Sequence, residues 1–281
     1  MSDHPERPDR PDGERRADLF DLSDHELART IADEAGRALL RLRDELLHNG
    51  TSRWDLEAQG DLLAHRLIVD RLAKARPDDH VLSEEGADDR RRLGAERVWI
   101  VDPLDGTNEY GTPPRPDWAV HIALVRHQVA VAGAVALPAM GVTLATDDPP
   151  EVPEREPGPI RVMASRWHPS AAAQVVARET GGQLLGLGSA GAKAMAVVLG
   201  HGDVYAHSGG QYEWDNCAPV VVAEAAGFHV SRIDGSPLRY NNESVYLPDF
   251  LICRPELADR CLEALGRAMT RSRLWLPSDD Y

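Results

Sequence analysis

An apolar run, Trp99-Ile100-Val101, ends in Asp102-Pro103-Leu104-Asp105-Gly106-Thr107, and this string carries the strongest chemical signal in the chain. Buried strands do not finish in paired carboxylates unless a cation or a helix terminus balances them. Pro103 restricts the turn, so the carboxylates of Asp102 and Asp105 and the Leu104 carbonyl can face one side. Glu84 and Glu85 upstream and Asp215 far downstream extend the acidic set. Oxygen ligands suit a hard ion such as Mg²⁺, which takes six oxygens and keeps several waters. The motif holds neither cysteine nor histidine, which disfavours zinc. Gly106-Thr107 then opens a turn or short helix near 107–110, whose exposed N–H groups could hold a phosphate. Asp-Gly alone is a common turn dipeptide. The whole string, however, points to metal-dependent phosphate chemistry.

The elements that must position these groups follow from pattern. Ser23 and Glu26 form a capping box with Leu22 and Leu27 as its staple, and Leu27, Ile31, Ala35, Leu39, Leu42 and Leu46 mark one helix face ending at Asn49-Gly50. A second helix is expected over 61–75. Strands at 81–83 and 97–101 each deliver acidic residues at their C-terminal ends. Segments 118–125 and 128–137 read as a hairpin turning near Arg126-His127, with a further strand over 141–146. The Pro-, Glu- and Asp-dense stretch 147–159 is the best boundary in the chain. Beyond it strands at 160–164, 184–187, 204–206 and near His229 and Phe250 alternate with helices from Ser170, from Ser189, over 215–226 and over 255–269. The expected organisation is an arm at 1–18, an α+β unit at 19–150 with the metal motif, an α/β unit at 151–275 completing the site, and a tail at 276–281. The arm, rich in Pro, Asp, Glu and Arg, is expected to be disordered and is no signal peptide.

A net charge of −15 over 281 residues argues against a nucleic-acid polymer or an anionic membrane as partner. An anionic substrate would then need local positive charge, which bound metal supplies. The longest near-apolar run, 129–140, is too short to span a bilayer. Three scattered cysteines, Cys217, Cys253 and Cys261, make neither a disulfide framework nor a zinc site, so a cytoplasmic location is expected. Cys217 lies two residues past Asp215, where oxidation could disturb the site, although its neighbours suggest a packed helix face.

The ordered set Glu84-Glu85, Asp102-Pro103-Leu104-Asp105-Gly106-Thr107 and Glu213-Trp214-Asp215 resembles the inositol monophosphatase superfamily from about residue 21 to 267. Asp105-Gly106-Thr107-Asn108-Glu109-Tyr110, Glu213 before the Trp-Asp pair, and Gly188-Ser189-Ala190-Gly191-Ala192-Lys193 are similar to its 3′(2′),5′-bisphosphate nucleotidase branch, of the actinobacterial CysQ type. Haloacid-dehalogenase phosphatases also pair aspartates before a threonine, but with one residue between them. Here Pro103 and Leu104 both intervene, which moves the second carboxylate off the required face.

The resemblance implies a layered αβαβα sandwich and a set of roles. Glu84, Asp102 and the Leu104 carbonyl would hold one Mg²⁺, Asp102, Asp105 and Asp215 a second, and Glu84 with waters a weaker third, with Glu85 nearby. Asp61 and Thr107 would orient and help deprotonate the attacking water, with Glu84 beside them. Ala58 stands where the family has threonine. Threonine is not acidic, so its hydroxyl helps only if Asp61 accepts its hydrogen bond and fixes a lone pair toward water.

Substrate-side residues carry two readings each. Ser189 could cap a helix and present N–H groups to a ligand, and Lys193, a turn later, could meet a phosphate or be merely solvated. Ser165-Arg166-Trp167-His168 resembles a family segment in which Arg166 or His168 could contact the nucleotide; as a bare sequence it reads as surface. His207 or Tyr212 could stack on adenine or simply pack. His121 alternates with Val120 and Ile122 and reads as a satisfied sheet histidine rather than a catalytic one.

The implied activity is Mg²⁺-dependent hydrolysis of 3′-phosphoadenosine 5′-phosphate to AMP and phosphate, clearing a by-product of sulfate assimilation, with the sulfated analogue as a second substrate. Lithium sensitivity and a homodimer are family expectations. Inositol monophosphate or fructose 1,6-bisphosphate hydrolysis on the same scaffold is the alternative, and a non-catalytic nucleotide binder is the rival of another class.

Overall fold

In the computed structural model, which describes residues 19–271, α1 (Asp24–His48) begins at the capping box read from the sequence. The Ser23 hydroxyl accepts from the Glu26 N–H, and the Glu26 carboxylate accepts from the Ser23 N–H. The expected arm at 1–18, the tail at 276–281 and the end of the expected second unit lie outside the described residues. The second helix, α2 (Arg53–Ala75), starts at Arg53 rather than near Asp61, capped by the Ser52 hydroxyl. Its first turns hid because Trp54 is 80% exposed and only Leu56 and Glu57 bury there, so no apolar stripe is legible.

The first sheet is ordered β1 (His80–Ser83), β2 (Arg97–Asp105), β3 (Ala119–Arg126), β4 (Val129–Leu137) and β5 (Val142–Ala145). β1 runs parallel to β2 and the other neighbours pair antiparallel. A one-turn helix, α3 (Thr107–Tyr110), follows β2 directly. The hairpin turns at His127 and Gln128, both at positive φ, one residue beyond the expected place.

The second half contributes β6 (Arg161–Ser165), α4 (Ala171–Thr180), β7 (Gln183–Leu187), α5 (Ala190–Val198), β8 (Val204–Tyr212), α6 (Glu213–Ala225), β9 (His229–Ser231), β10 (Tyr246–Cys253) and α7 (Ala258–Arg271). The strand order is β7-β6-β8-β10-β9, parallel across β7, β6 and β8 and antiparallel beyond. β8 runs well past Ala206 because β10 pairs with it through Tyr212; Gly209 and Gly210, which read as loop, form the irregularity in that ladder at positive φ.

Helices α1 and α2 pack on the first sheet, α4 and α7 on the far side of the second, and α5 and α6 touch both sheets from between them. The result is the αβαβα sandwich. One interior joins the halves: Val135 and Leu137 of β4 share a cluster with Met195, Val220, Val222, Phe250 and Ile252. Among the described residues no helix is long and apolar enough to cross a membrane.

Candidate active site

A regular strand sends residues three apart to opposite faces. Between Asp102 and Asp105 the β2–β3 ladder is irregular: Asp102 pairs with His121 and Asp105 with Ala119, so three steps on β2 match two on β3. This bulge turns both carboxylates to the same face. Asp102 is 1% and Asp105 8% exposed, and Asp215, in the first turn of α6, completes a group whose ligand atoms lie within 4.8 Å of one another. The Tyr212 N–H donates to Asp215 at 2.6 Å and fixes that carboxylate at the helix entrance.

Burial pushes the Asp102 carboxyl well above the usual carboxylate range, and the charges of Glu84, Asp105 and Asp215 push it further. Burial and Asp105 raise Asp215 to about 6; burial, with Asp215, Asp105 and Glu85, raises Glu84 to about 7. Burial opposes ionisation of Asp105 too, yet His121, Lys193 and the Gly191 N–H hold it down to about 2. Mutually repelling, buried carboxylates of this kind fit a divalent cation, which would supply the missing charge. Glu84 stands exposed just past the end of β1, outside the three-carboxylate group but near enough for its charge to raise Asp102. The Leu104 carbonyl accepts the Thr107 hydroxyl at 3.1 Å, and the Leu104 N–H donates to Asp102 at 3.1 Å.

Gly106 has φ +88°, which starts α3 in the left-handed region, and a side chain there would collide with Ser189. Thr107 Oγ1 reaches Asp61 Oδ1 at 3.4 Å, so the pairing implied for these two is present. Burial, aided by Glu85, raises Asp61 to about 7.

His121 is a buried sheet histidine, as read from the sequence, but the sequence did not place it against the acidic cluster. It is fully buried, with Nε2 3.1 Å from Asp105 Oδ2 and Nδ1 3.1 Å from the Trp214 carbonyl, so it faces the acidic cluster. Its position follows from its cross-strand pairing with Asp102, which only the register of β2 on β3 sets. Gly191 belongs to the same contact: a Cβ there would stand 2.1 Å from His121 Nε2.

Lys193 and Ser189 are corrected in part. Ser189 caps α5, accepting from Ala192 at 2.8 Å, but the Ala190 and Gly191 N–H groups bind Asp105 at 3.1 and 2.6 Å rather than facing open space. The Lys193 ammonium is buried against the Gly188 and Ser189 carbonyls, 5.5 Å over the Tyr205 ring, so it touches the cluster only through its field. His207 packs on Phe250 with ring centroids 5.9 Å apart, and burial together with Lys193 lowers it to about 4; it is a packed residue. Arg166 and His168 lie exposed on the loop after β6, with Arg166 3.3 Å from Asp117. Cys217 is buried and its thiol is pushed up by burial, as the packed-face reading holds.

Sequence reasoning also missed a support behind the site. Glu213 is fully buried and accepts from the N–H groups of Asn241 and Asn242 and from the Asn242 side chain. Buried Arg92 donates to Asn241 Oδ1 at 2.8 Å, so two distant loops hold the start of α6.

The sequence matches the inositol monophosphatase family over residues 23–148 and 168–269. The chain belongs to that family. It is 48% identical over 243 residues to the 3′-phosphoadenosine 5′-phosphate phosphatase of Mycobacterium bovis, covering 84% of this chain and 90% of that one. It is 31% identical over 245 residues to the 3′(2′),5′-bisphosphate nucleotidase CysQ of Escherichia coli, covering 79% and 96%. The crystal structure of CysQ from Bacteroides thetaiotaomicron superposes with a TM-score of 0.69 at 27% identity, covering 84% and 99%. The family's fold and its metal-dependent phosphatase chemistry therefore apply to the acidic cluster described above.

Proposed function

We propose that this protein is a Mg²⁺-dependent phosphomonoesterase that converts 3′-phosphoadenosine 5′-phosphate to AMP and phosphate. The observation that carries the chemistry is the bulge at 102–105, which gathers Asp102, Asp105 and Asp215 beside a Thr107–Asp61 pair. The relatives' printed activities support the substrate. Asp102, Asp105 and Asp215 would hold one ion, and Glu84, Asp102 and the Leu104 carbonyl another. Bound Mg²⁺ supplies a water of lowered pKa and screens charge on the phosphoryl and leaving oxygens.

The chain's own groups do the rest. The single Thr107 hydroxyl proton lies between the Leu104 carbonyl at 3.1 Å and Asp61 at 3.4 Å; with that carbonyl on an ion the proton would turn to Asp61 and leave a lone pair facing the attacking water. Asp61, when ionised, is the acceptor at the end of that relay. The Gly106–Thr107 turn presents backbone N–H groups to the phosphoryl oxygens. Binding alone would need no such water-directed pair, which sets aside the non-catalytic rival.

The test is phosphate release from 3′-phosphoadenosine 5′-phosphate, inositol monophosphate and fructose 1,6-bisphosphate with Mg²⁺, in wild type and Asp105→Asn. The expected result is the highest kcat/KM on the nucleotide and a loss of about a hundredfold or more in the variant. Equal activity in both proteins, or a preference for either sugar phosphate, would refute the assignment.

A further inference from the structure

The groups assigned to the two ions come from elements far apart in the chain. Glu84 follows β1, whereas Asp215 lies in the first turn of α6. Mg²⁺ demands near-ideal octahedral geometry, so the acidic turn after β1 must be held in register with the start of α6. One buried guanidinium spans the gap between them.

Arg92 lies in a short 3₁₀ turn (Arg90–Gly94) between β1 and β2 and is fully buried. Its Nε and Nη2 fork onto Asp88 at 2.6 and 2.9 Å. That fork closes the 84–88 segment at one end, and the pairing of Ser83 with Val101 closes it at the other. Nη1 turns the opposite way, to Asn241 Oδ1 at 2.8 Å and the Asn242 carbonyl at 2.9 Å. The Asn241 side chain returns a bond from Nδ2 to the Arg92 carbonyl at 3.0 Å. The backbone N–H groups of Asn241 and Asn242 in turn donate to the two Glu213 carboxylate oxygens, at 2.6 and 2.9 Å. Glu213 is the first residue of α6, two before Asp215. An unbroken chain of bonds, Asp88–Arg92–Asn241–Glu213, thus runs from the acidic segment to the helix that carries Asp215.

Its charges are matched. A guanidinium held out of water is costly unless paired, and Asp88 pairs Arg92 directly while Glu213 stands behind the two asparagines. Apolar side chains could fill the same space, but they would not fix direction. A forked guanidinium sets both the separation and the orientation of what it joins. Asn241 holds φ +60°, a left-handed backbone that asparagine accepts more readily than most residues.

We infer that Arg92 is a positioning residue that, through Asn241 and Glu213, locks the Glu84 segment to Asp215 and so sets the relation between the two ion sites. The inference rests on the functional reading above. Arg92 and Glu213 are both fully buried, so they act through the metal ligands rather than on the substrate.

The experiment is a calorimetric titration of Mg²⁺ into wild type, Asn241→Gly, Arg92→Lys, the double variant and Arg90→Gln, each below its melting temperature. Asn241→Gly is the gentlest cut. Glycine accepts the left-handed backbone and keeps the N–H that Glu213 accepts, while both side-chain bonds to Arg92 are lost. It should weaken Mg²⁺ about tenfold or more and shrink the Mg²⁺-induced rise in melting temperature, with kcat at saturating Mg²⁺ largely recovered. Arg92→Lys should act in the same direction, and the double variant should lose less than the two single losses combined, because both cut one chain. Arg90→Gln removes the exposed tie to Glu243 beside that chain and should titrate like wild type. Wild-type Mg²⁺ affinity in Asn241→Gly, or additive losses in the double variant, would overturn the positioning role while leaving the phosphatase reading intact. An equal loss in Arg90→Gln would overturn it too, since any loosening of these loops would then suffice. A wild type that takes up no Mg²⁺ would remove the functional reading itself, and the positioning role with it.

Discussion

Asp61 carries the residue-scale argument for catalysis because burial and Glu85 raise it to about 7 while the Thr107 hydroxyl lies 3.4 Å away. Its useful form is ionised, so activity should fall as pH drops, with an acidic limb at or below pH 7. Asp61→Asn removes the acceptor but keeps the shape. At saturating Mg²⁺ it should lower kcat by about a hundredfold or more, leave KM little changed and remove the part of that limb due to Asp61; an unaltered pH–rate profile would count against the relay. His121 makes a different prediction. It contacts Asp105 and not the substrate, so His121→Asn should weaken Mg²⁺ about ten- to a hundredfold, read from the Mg²⁺ dependence of activity, with kcat at saturating Mg²⁺ largely recovered. Loss of kcat with unchanged Mg²⁺ demand would assign His121 another role. The carboxylates were visible in the sequence because their order and spacing are local. His121 was not, because its role depends on which residue lies across the ladder.

At the scale of elements, α5 is the piece that ties the halves of the site together. Its N-terminal N–H groups bind Asp105 of β2, and its cap is the Ser189 hydroxyl. Ser189→Ala should cost about 1 kcal/mol in urea unfolding and should raise the Mg²⁺ concentration needed for half-maximal activity, since Asp105 loses part of its anchor. A variant with wild-type stability and wild-type Mg²⁺ demand would show that the cap is idle. The capping signals at Ser23 and Ser189 were legible and hold, because a cap is a three-residue event. The first turns of α2 and the far half of β8 were not legible. The former exposes Trp54, and the latter runs through Gly209 and Gly210, so each is maintained by its neighbours rather than by local propensity.

For the whole molecule, the acidic cluster is a source of instability that cation binding relieves. Asp102, Glu84, Asp215 and Asp61 all have raised values in the folded state. The metal-free native chain thus binds more protons than the unfolded chain between about pH 4 and 7, and these groups lower its stability as pH rises through that window. Mg²⁺ binds the native state and replaces those protons. Its stabilisation, followed as the rise in melting temperature, should therefore be small at pH 5 and large at pH 8. A shift independent of pH would mean that the cluster is not the binding site.

The sequence alone determined the Asp102–Asp105 motif, the capped helices and the hairpin, because each depends on residues within a few positions of one another. The chain's family is carried by those same strings. The shared face of Asp102 and Asp105 was expected from Pro103, but only the tertiary structure decided that a bulge against β3 produces it. It also decided that Lys193 points into carbonyls. Direction and partnership follow from register and burial between distant segments, and spacing along a chain does not encode them.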